Sequence, residues 1–304
     1  MQPSVEPTSS VGPARRQVLG GPPDRAVTVG ARVSDDGTMP IASPSGEGRY
    51  PHARFDPDVL ARSKGERTVS VCIPARNEAA TVGTVVASIV SALTAASGGA
   101  GLVDEVVVVD DGSVDRTAEV ARHAGARVVT SDAPHGGKGQ AMRSALAATD
   151  GDLVAFVDAD VTNFGPHFVT GLLGPLIEDD SLALVKGYYR RPLQGAPDGG
   201  GRVTELMAKP VIDLLFPALG SIEQPLAGET AAPRTVLEKC GLADGYAVEL
   251  ALLIDVAGLY GVSSIAQVDL GVRIHRNRPL AELRPQATDI LRAALARAPL
   301  VTPD

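Results

Sequence analysis

Short apolar runs that each end in polar residues set the pattern of the middle of this chain. Val69-Ser70-Val71-Cys72-Ile73, Val106-Val107-Val108-Val109, Arg127-Val128-Val129-Thr130 and Leu153-Val154-Ala155-Phe156-Val157 are rich in β-branched residues, and helical stretches separate them. The pattern predicts strands over 69–73, 106–109, 127–130 and 153–157, with helices over about 80–95, 117–123 and 139–148. Strands of this kind, alternating with helices, are covered on both faces, as in an α/β, doubly wound, mostly parallel sheet. Further along, the pattern predicts a strand over 182–188, a Gly/Pro loop over 192–201 and a helix over 202–215. A looser Pro-rich stretch, a helix over 248–259 and a strand over 264–270 follow, then a basic run at 273–278. The end is helical over 281–296, with an interruption at Pro285. Residues 1 to about 65 are rich in Pro, Gly, Ser and Arg without a period and read as a disordered leader, with a short helix near Asp58-Val59-Leu60-Ala61. The divisions are therefore 1–65, 66–165, 166–297 and a tail over 298–304, the two middle parts sharing one sheet.

Composition narrows the class without naming it. A chain of 304 residues, 44% apolar and 21% charged, builds a core that needs no staples. A net charge of −8 argues against non-specific nucleic-acid binding, so an anionic ligand requires local Arg and Lys. Cys72 and Cys240 make neither a CxxC pair nor a metal spacing, and no apolar run approaches the roughly eighteen residues of a membrane span. Arg15-Arg16 is followed by Gln-Val-Leu-Gly-Gly-Pro-Pro and not by an apolar stretch, so it is a poor twin-arginine signal. The simplest expectation is a cytoplasmic protein with no membrane partner.

The candidate chemistry lies where strands end. Asp158-Ala159-Asp160 closes the run 153–157, which holds both acids at the carboxyl edge of the sheet, where open α/β folds bind ligands. Hard oxygens there suit Mg²⁺ or Mn²⁺ sharing its coordination with a substrate phosphate. Pro74-Ala75-Arg76-Asn77-Glu78 follows the first strand, either as a simple turn with Asn77 or Glu78 capping the helix, or as a cradle for a base and ribose. Asp110-Asp111-Gly112-Ser113-Val114-Asp115 follows the second, with Ser113 as the expected helix cap and the two acids suited to a uracil or ribose. Gly136-Gly137-Lys138-Gly139 opens a helix with free N–H groups and a point charge for a diphosphate, but lacks the Walker spacing.

Together these clusters resemble nucleotide-sugar-dependent glycosyltransferases of the GT-A fold. Longer segments carry a more specific resemblance over about 68–283. They include Leu184-Val185-Lys186-Gly187-Tyr188-Tyr189-Arg190-Arg191-Pro192-Leu193, Gly199-Gly200-Gly201-Arg202-Val203-Thr204-Glu205-Leu206 and Gln224-Pro225-Leu226-Ala227-Gly228-Glu229. Gly245-Tyr246-Ala247-Val248-Glu249-Leu250 and Val272-Arg273-Ile274-His275-Arg276-Asn277-Arg278-Pro279-Leu280 complete the set. These are similar to the glucosyl-3-phosphoglycerate synthase family, retaining transferases of actinobacteria.

The resemblance implies a nucleotide-sugar-binding half over 66–165 and an acceptor-binding half over 166–297, with UDP-glucose and 3-phosphoglycerate as substrates. Asp160 and His275 would hold Mg²⁺ or Mn²⁺. Asp158, Glu249 and Lys138 would stand at the catalytic centre. Pro74, Ala75, Arg76, Asn77, Glu78, Asp110, Asp111, Gly112, Ala159 and Tyr246 would join them around the donor. Gly201, Arg202, Val203, Thr204 and Asn277 would hold the acceptor. From the residues alone, Glu249 is equally an exposed acid on a misjudged helix face, and His275 a surface histidine in a basic run. The family's longer carboxyl-terminal tail helps its members associate, which leaves a homodimer here as an open alternative to a monomer. Transfer from GDP-mannose, a paralogue with another small phosphorylated acceptor, and a non-catalytic nucleotide-sugar sensor remain rival readings. A processive polysaccharide transferase is disfavoured, because the chain has no tryptophan for a Gln-x-x-Arg-Trp motif. A Rossmann dehydrogenase is disfavoured because no GxGxxG follows the first strand.

Overall fold

The structure, a computed structural model, describes residues 48–133, 135–192, 201–274 and 280–298. Its frame is an eight-stranded sheet built from β1 (Arg49–Pro51), β2 (Val69–Ala75), β3 (Glu105–Asp110), β4 (Arg127–Thr130), β5 (Leu153–Phe156), β6 (Leu184–Arg190), β7 (Thr230–Pro233) and β8 (Ile265–Val272). The spatial order is β1-β8-β6-β7-β5-β2-β3-β4, so one sheet spans both halves. All pairings are parallel except those of β7, which runs antiparallel to β5 and to β6. The chain order reverses between β2 and β5, which makes their carboxyl ends the switch point of the sheet.

Alternation along the strands distributes side chains to two cores. Val71, Ile73, Val106, Val108 and Ala155 join one buried cluster, while Cys72, Val107, Val109, Val154 and Phe156 join the other. Helices α1 (Pro57–Ser63), α2 (Val82–Leu93), α3 (Thr117–His123) and α5 (His167–Glu178) supply the first face. The second takes α4 (Lys138–Ala148), α6 (Lys209–Leu215), α7 (Arg234–Cys240), α8 (Val248–Tyr260) and α9 (Leu280–Arg297). Every predicted strand and helix of the stretch 69–157 is present, with shifts of a few residues at its ends.

The differences have physical reasons. Order begins before the expected start at 66: β1 pairs with β8 through Arg49↔Gln267, and Asp56 caps α1 by accepting from the amides of Asp58 and Val59. Phe55 and Leu60 are buried, so residues 48–64 belong to the fold and not to a leader. A Gly/Pro-rich stretch hid them, because the apolar anchors are few and widely spaced. Helix α5 was not expected at all. Every residue from Phe168 to Ile177 is buried, and a helix covered on all sides shows no amphipathic period. Its glycines permit close packing: a β-carbon at Gly174 would lie 2.2 Å from the Phe55 ring. β7 and α7 were also missed, since Thr-Ala-Ala-Pro carries weak strand propensity. The helix expected over 202–215 is divided, with a π-helical segment Thr204–Ala208 preceding α6. Pro210 has no amide to offer the carbonyl four residues back, and the Lys209 amide bonds Thr204 instead. Helix α9 runs through Pro285 without the expected break.

A chain beginning at residue 65 should be less stable than one beginning at residue 48. Losing the burial of Phe55 and Leu60 costs about 3–6 kcal/mol, a fall in Tm of roughly 10 °C or more. Equal melting temperatures for the two chains would show that residues 48–64 add nothing to the fold.

Candidate active site

Because β7 is antiparallel to both neighbours, β6 and β8 run in the same direction as β2, β3 and β5. Their carboxyl ends therefore share one edge, and Arg190 is in register with Val272. A cleft of about 610 Å³ opens there. It brings together Pro74, Ala75, Arg76, Asn77 and Glu78 with Asp111, Lys138, Asp158, Ala159 and Asp160. Gly201, Arg202, Val203, Thr204, Tyr246 and Glu249 line it as well. Asp110 and Gly112 are not among its walls, and His275 and Asn277 lie outside the described residues.

Two strand-end turns interlock on the first wall. Asn77 adopts a left-handed conformation (φ 56°), donates its amide to the Ser113 hydroxyl and accepts from the Val114 amide at 2.9 Å. Ser113 is thereby used across the turns and does not cap α3. The N-cap position is Arg116, and Asp115 just before it accepts from the Thr117 amide at 2.9 Å. Neither Asn77 nor Glu78 caps α2 through a side chain. Asp110 accepts from the Ser113 amide, which explains its absence from the cleft. A β-carbon at Gly112 would meet the His135 ring at 2.7 Å, and this histidine joins the cleft wall unforeseen. The Asp111 carboxylate is buried; Oδ2 accepts from the Gly137 amide at 3.2 Å, while Oδ1 has no partner among the described residues.

The floor is a cluster of compensated charges. Lys138, at the first turn of α4, places its Nζ 2.5 Å from Asp158 Oδ1 and 2.8 Å from Glu249 Oε1. The lysine therefore bridges two acids, where the sequence suggested a free charge for a diphosphate. Glu249 is buried in the first turn of α8, so its polar setting is not an exposed face. Arg273, just past β8, contacts Asp158 Oδ2 and Asp160 Oδ1, each at 2.7 Å. It also donates to the Tyr189 hydroxyl at 3.1 Å, which in turn donates to Glu229 at 2.7 Å. Burial pushes the Asp158 carboxyl upward, yet the charges of Lys138 and Arg273 outweigh it and hold the group well below the usual carboxylate range. Burial likewise lowers Lys138, but Asp158 and Glu249 raise it well above an ordinary lysine. Both remain charged at neutral pH.

Sequence reasoning missed much of this floor. Lys186, on β6, is buried beneath it and donates to the Ala227 carbonyl at 2.6 Å; burial pushes its ammonium down to about 8. Gly228 passes so close that a β-carbon there would stand 2.3 Å from Lys138 Nζ and 2.4 Å from Asp158 Oδ1. Arg191, Glu229 and Arg273 sat within motifs whose charges looked like solvated surface. A usable signal existed: Lys186 and Glu229 interrupt apolar strand-like segments, where a charge needs a buried partner. Leu283, Gln286 and Ile290 of α9 close one side of the cleft.

Among the described residues, no group of three His, Cys, Asp or Glu side chains could enclose a metal ion. Asp160 is a quarter exposed, and the described residues engage only its Oδ1. The remaining carboxylate oxygen suits a hard divalent cation that takes its other ligands from substrate and water.

Comparison with known proteins agrees with this geometry. The family model described as "Glycosyl transferase family 2" matches residues 70–201. The glucosyl-3-phosphoglycerate synthase of Mycolicibacterium smegmatis is 48% identical over 248 residues, 78% of this chain and 80% of that protein. The Mycobacterium tuberculosis glucosyl-3-phosphoglycerate synthase, solved with Mg²⁺ and uridine diphosphate, is 42% identical with a TM-score of 0.75, over 85% of this chain and 88% of that one. The same enzyme solved with Mn²⁺, uridine-diphosphate-glucose and phosphoglyceric acid is 45% identical with a TM-score of 0.71, over 78% of this chain and 82% of that one. With this identity and coverage, a GT-A sheet and the Asp-x-Asp floor at its switch point, the chain belongs to glycosyltransferase family 2, among the glucosyl-3-phosphoglycerate synthases.

Proposed function

We propose that this chain transfers glucose from UDP-glucose to D-3-phosphoglycerate with retention of configuration, forming glucosyl-3-phosphoglycerate. The observation that carries this reading is a cleft shared by the Asp158–Lys138–Arg273 floor and the Gly201–Thr204 segment. Relatives of 42–45% identity have been solved with uridine-diphosphate-glucose, phosphoglyceric acid and Mn²⁺ or Mg²⁺. Asp111 Oδ1, a buried acceptor without a partner among the described residues, matches the imide N–H of a uracil. Asp160, with His275, would hold Mg²⁺ or Mn²⁺, and the ion would withdraw charge from the donor diphosphate. Gly201, Arg202, Val203 and Thr204 would hold the acceptor phosphate with backbone amides, a guanidinium and a hydroxyl.

Of the acids on the floor, Asp158 has both oxygens on cations and Glu249 is paired with Lys138. Such carboxylates are poor nucleophiles, which favours front-face displacement. In that route the acceptor hydroxyl attacks the face the diphosphate leaves, and the departing phosphate oxygen takes its proton. Asp158 and Glu249 then orient the glucose hydroxyls, and Lys138, paired with both acids, holds them in place. The two substrates are metabolites of the cytoplasm, where the reaction belongs. Leu206, Leu214, Leu291 and Leu295 are exposed apolar side chains that a homodimer could bury.

Incubating the purified chain with 3-phosphoglycerate, Mg²⁺ and either UDP-glucose or GDP-mannose tests the assignment. UDP release and a product of glucosyl-3-phosphoglycerate mass are expected, and preference for the GDP sugar would overturn the donor. Asp160→Asn should cut metal-dependent turnover by at least about a hundredfold, since losing even outer partners of a metal ligand costs 10–100-fold. Its circular dichroism should match the wild type; near-normal activity at limiting Mg²⁺ would remove Asp160 from the metal site. Arg202→Ala should raise the KM for 3-phosphoglycerate about tenfold to a hundredfold, the worth of a charge-assisted contact of about 1.5–3 kcal/mol. Arg202→Lys should recover only part of it. An equal loss for UDP-glucose would show that Arg202 does not serve the acceptor.

A further inference from the structure

Arg191 leaves the carboxyl end of β6 and enters the cleft, yet among the described residues it makes no ion pair. The acids around it are committed elsewhere: Asp158 and Asp160 to Lys138 and Arg273, Glu229 to Arg273 and Tyr189. Among the described residues it donates from Nη2 to the Tyr189 hydroxyl at 2.9 Å, with the guanidinium carbon 4.9 Å from the centre of that ring. Nε is buried without an acceptor among the described residues. A buried donor left unmade is costly, so a cation held in this way marks a place where an anion is expected.

Its position selects which anion. On one side, Nη1 lies 3.3 Å from where a β-carbon of Gly201 would be, so the guanidinium backs directly onto the segment that opens the Arg202–Thr204 turn. On the other, the Tyr189 hydroxyl links it to Arg273 and thus to Asp158 and Asp160. Arg191 therefore stands between the segment assigned to the acceptor phosphate and the acids of the transfer centre. In a 2-hydroxy acid phosphorylated on carbon 3, the carboxylate is attached to the carbon that bears the reacting hydroxyl. That carboxylate is therefore one carbon from the reacting hydroxyl and two from the phosphate-bearing oxygen, within reach of a cation that adjoins both places.

We propose that Arg191 is a specificity-determining residue that binds the carboxylate of the acceptor, while the Gly201–Thr204 segment binds its phosphate. The proposal rests on the acceptor assignment made above. Tyr189 is its positioning residue: with its proton committed to Glu229, the hydroxyl is left to accept from Arg191 and from Arg273, fixing the fork relative to the reacting centre. Selection for an α-hydroxy acid over a simple phosphorylated alcohol then comes from one guanidinium that makes no ion pair among the described residues.

The test compares 3-phosphoglycerate as substrate with glycerol 3-phosphate as competitive inhibitor, which keeps the phosphate and the hydroxyl but has no carboxylate. Arg191→Met should raise the KM for 3-phosphoglycerate about tenfold to a hundredfold. It should leave the inhibition constant of glycerol 3-phosphate and the KM for UDP-glucose within about twofold, the residue contacting neither. Arg202→Ala should weaken both acceptor-site ligands. Arg191→Lys should recover part of the loss for 3-phosphoglycerate, and it carries the same comparison should the Met variant fold poorly. Equal weakening of both ligands in the Arg191 variants would overturn the proposal in favour of a role in shaping the phosphate segment, and an unchanged KM for 3-phosphoglycerate would overturn it outright. A wild-type chain that makes no product from 3-phosphoglycerate would overturn the acceptor assignment itself, before any variant is compared.

Discussion

The ion pairs that Asp158 makes with Lys138 on one oxygen and Arg273 on the other are the constraint from which the rest of the cleft follows. Withdrawing a carboxylate from water is tolerable only when its charge is met at close range, and leaving one partner unmet costs about 3–5 kcal/mol. Here the partners come from different parts of the chain: the end of β5, the start of α4 and the end of β8. Each must arrive at the same point, which requires the sheet order, the register of β6 with β8 and the close passage of Gly228. Substrate recognition and folding thus share a set of contacts. The antiparallel β7 is integral to this, because it delivers Gly228 and Glu229 to the same edge that the parallel strands reach from the opposite direction.

What was legible in the sequence was the part governed by local pattern. Buried parallel strands such as 106–109 carry β-branched runs, and the clusters after them are visible as polar breaks, so the switch-point edge could be located without coordinates. Most of the residues named from strand ends and motifs do line one cleft. Helix α5 was illegible because total burial erases the period that identifies a helix, and its glycines, read locally, look like breakers. β1 and α1 were illegible because β1 pairs with β8, α1 packs on α5 and Phe55 meets Gly174, all more than a hundred residues away.

The compensating charges were the least legible. Lys138, Asp158 and Glu249 were each noticed, but their mutual contact is a fact of three dimensions, and it changed the meaning of the lysine from a free charge to a bridge. Arg191 and Arg273 carry no local sign of a role, since an arginine in a basic run is most simply a solvated one. Only the burial of Arg273, and the commitment of Asp158, Asp160 and Glu229 away from Arg191 among the described residues, separate them from their exposed neighbours.

The π-helical segment Thr204–Ala208 has a consequence for how the acceptor pocket can vary. A helix turns by about 100° for each residue. The one residue accommodated by the wider turn therefore sets the azimuth of Gly201, Arg202 and Val203 relative to α6. Helix α6 is anchored independently through Ile212, buried in the second core. The defect thus works as a rotary joint between a packed helix and a recognition segment. Gaining or losing one residue there would swing Arg202 toward a different wall of the cleft while α6 keeps its own anchor at Ile212, so new acceptors could be reached by insertion or deletion rather than by exchange of side chains.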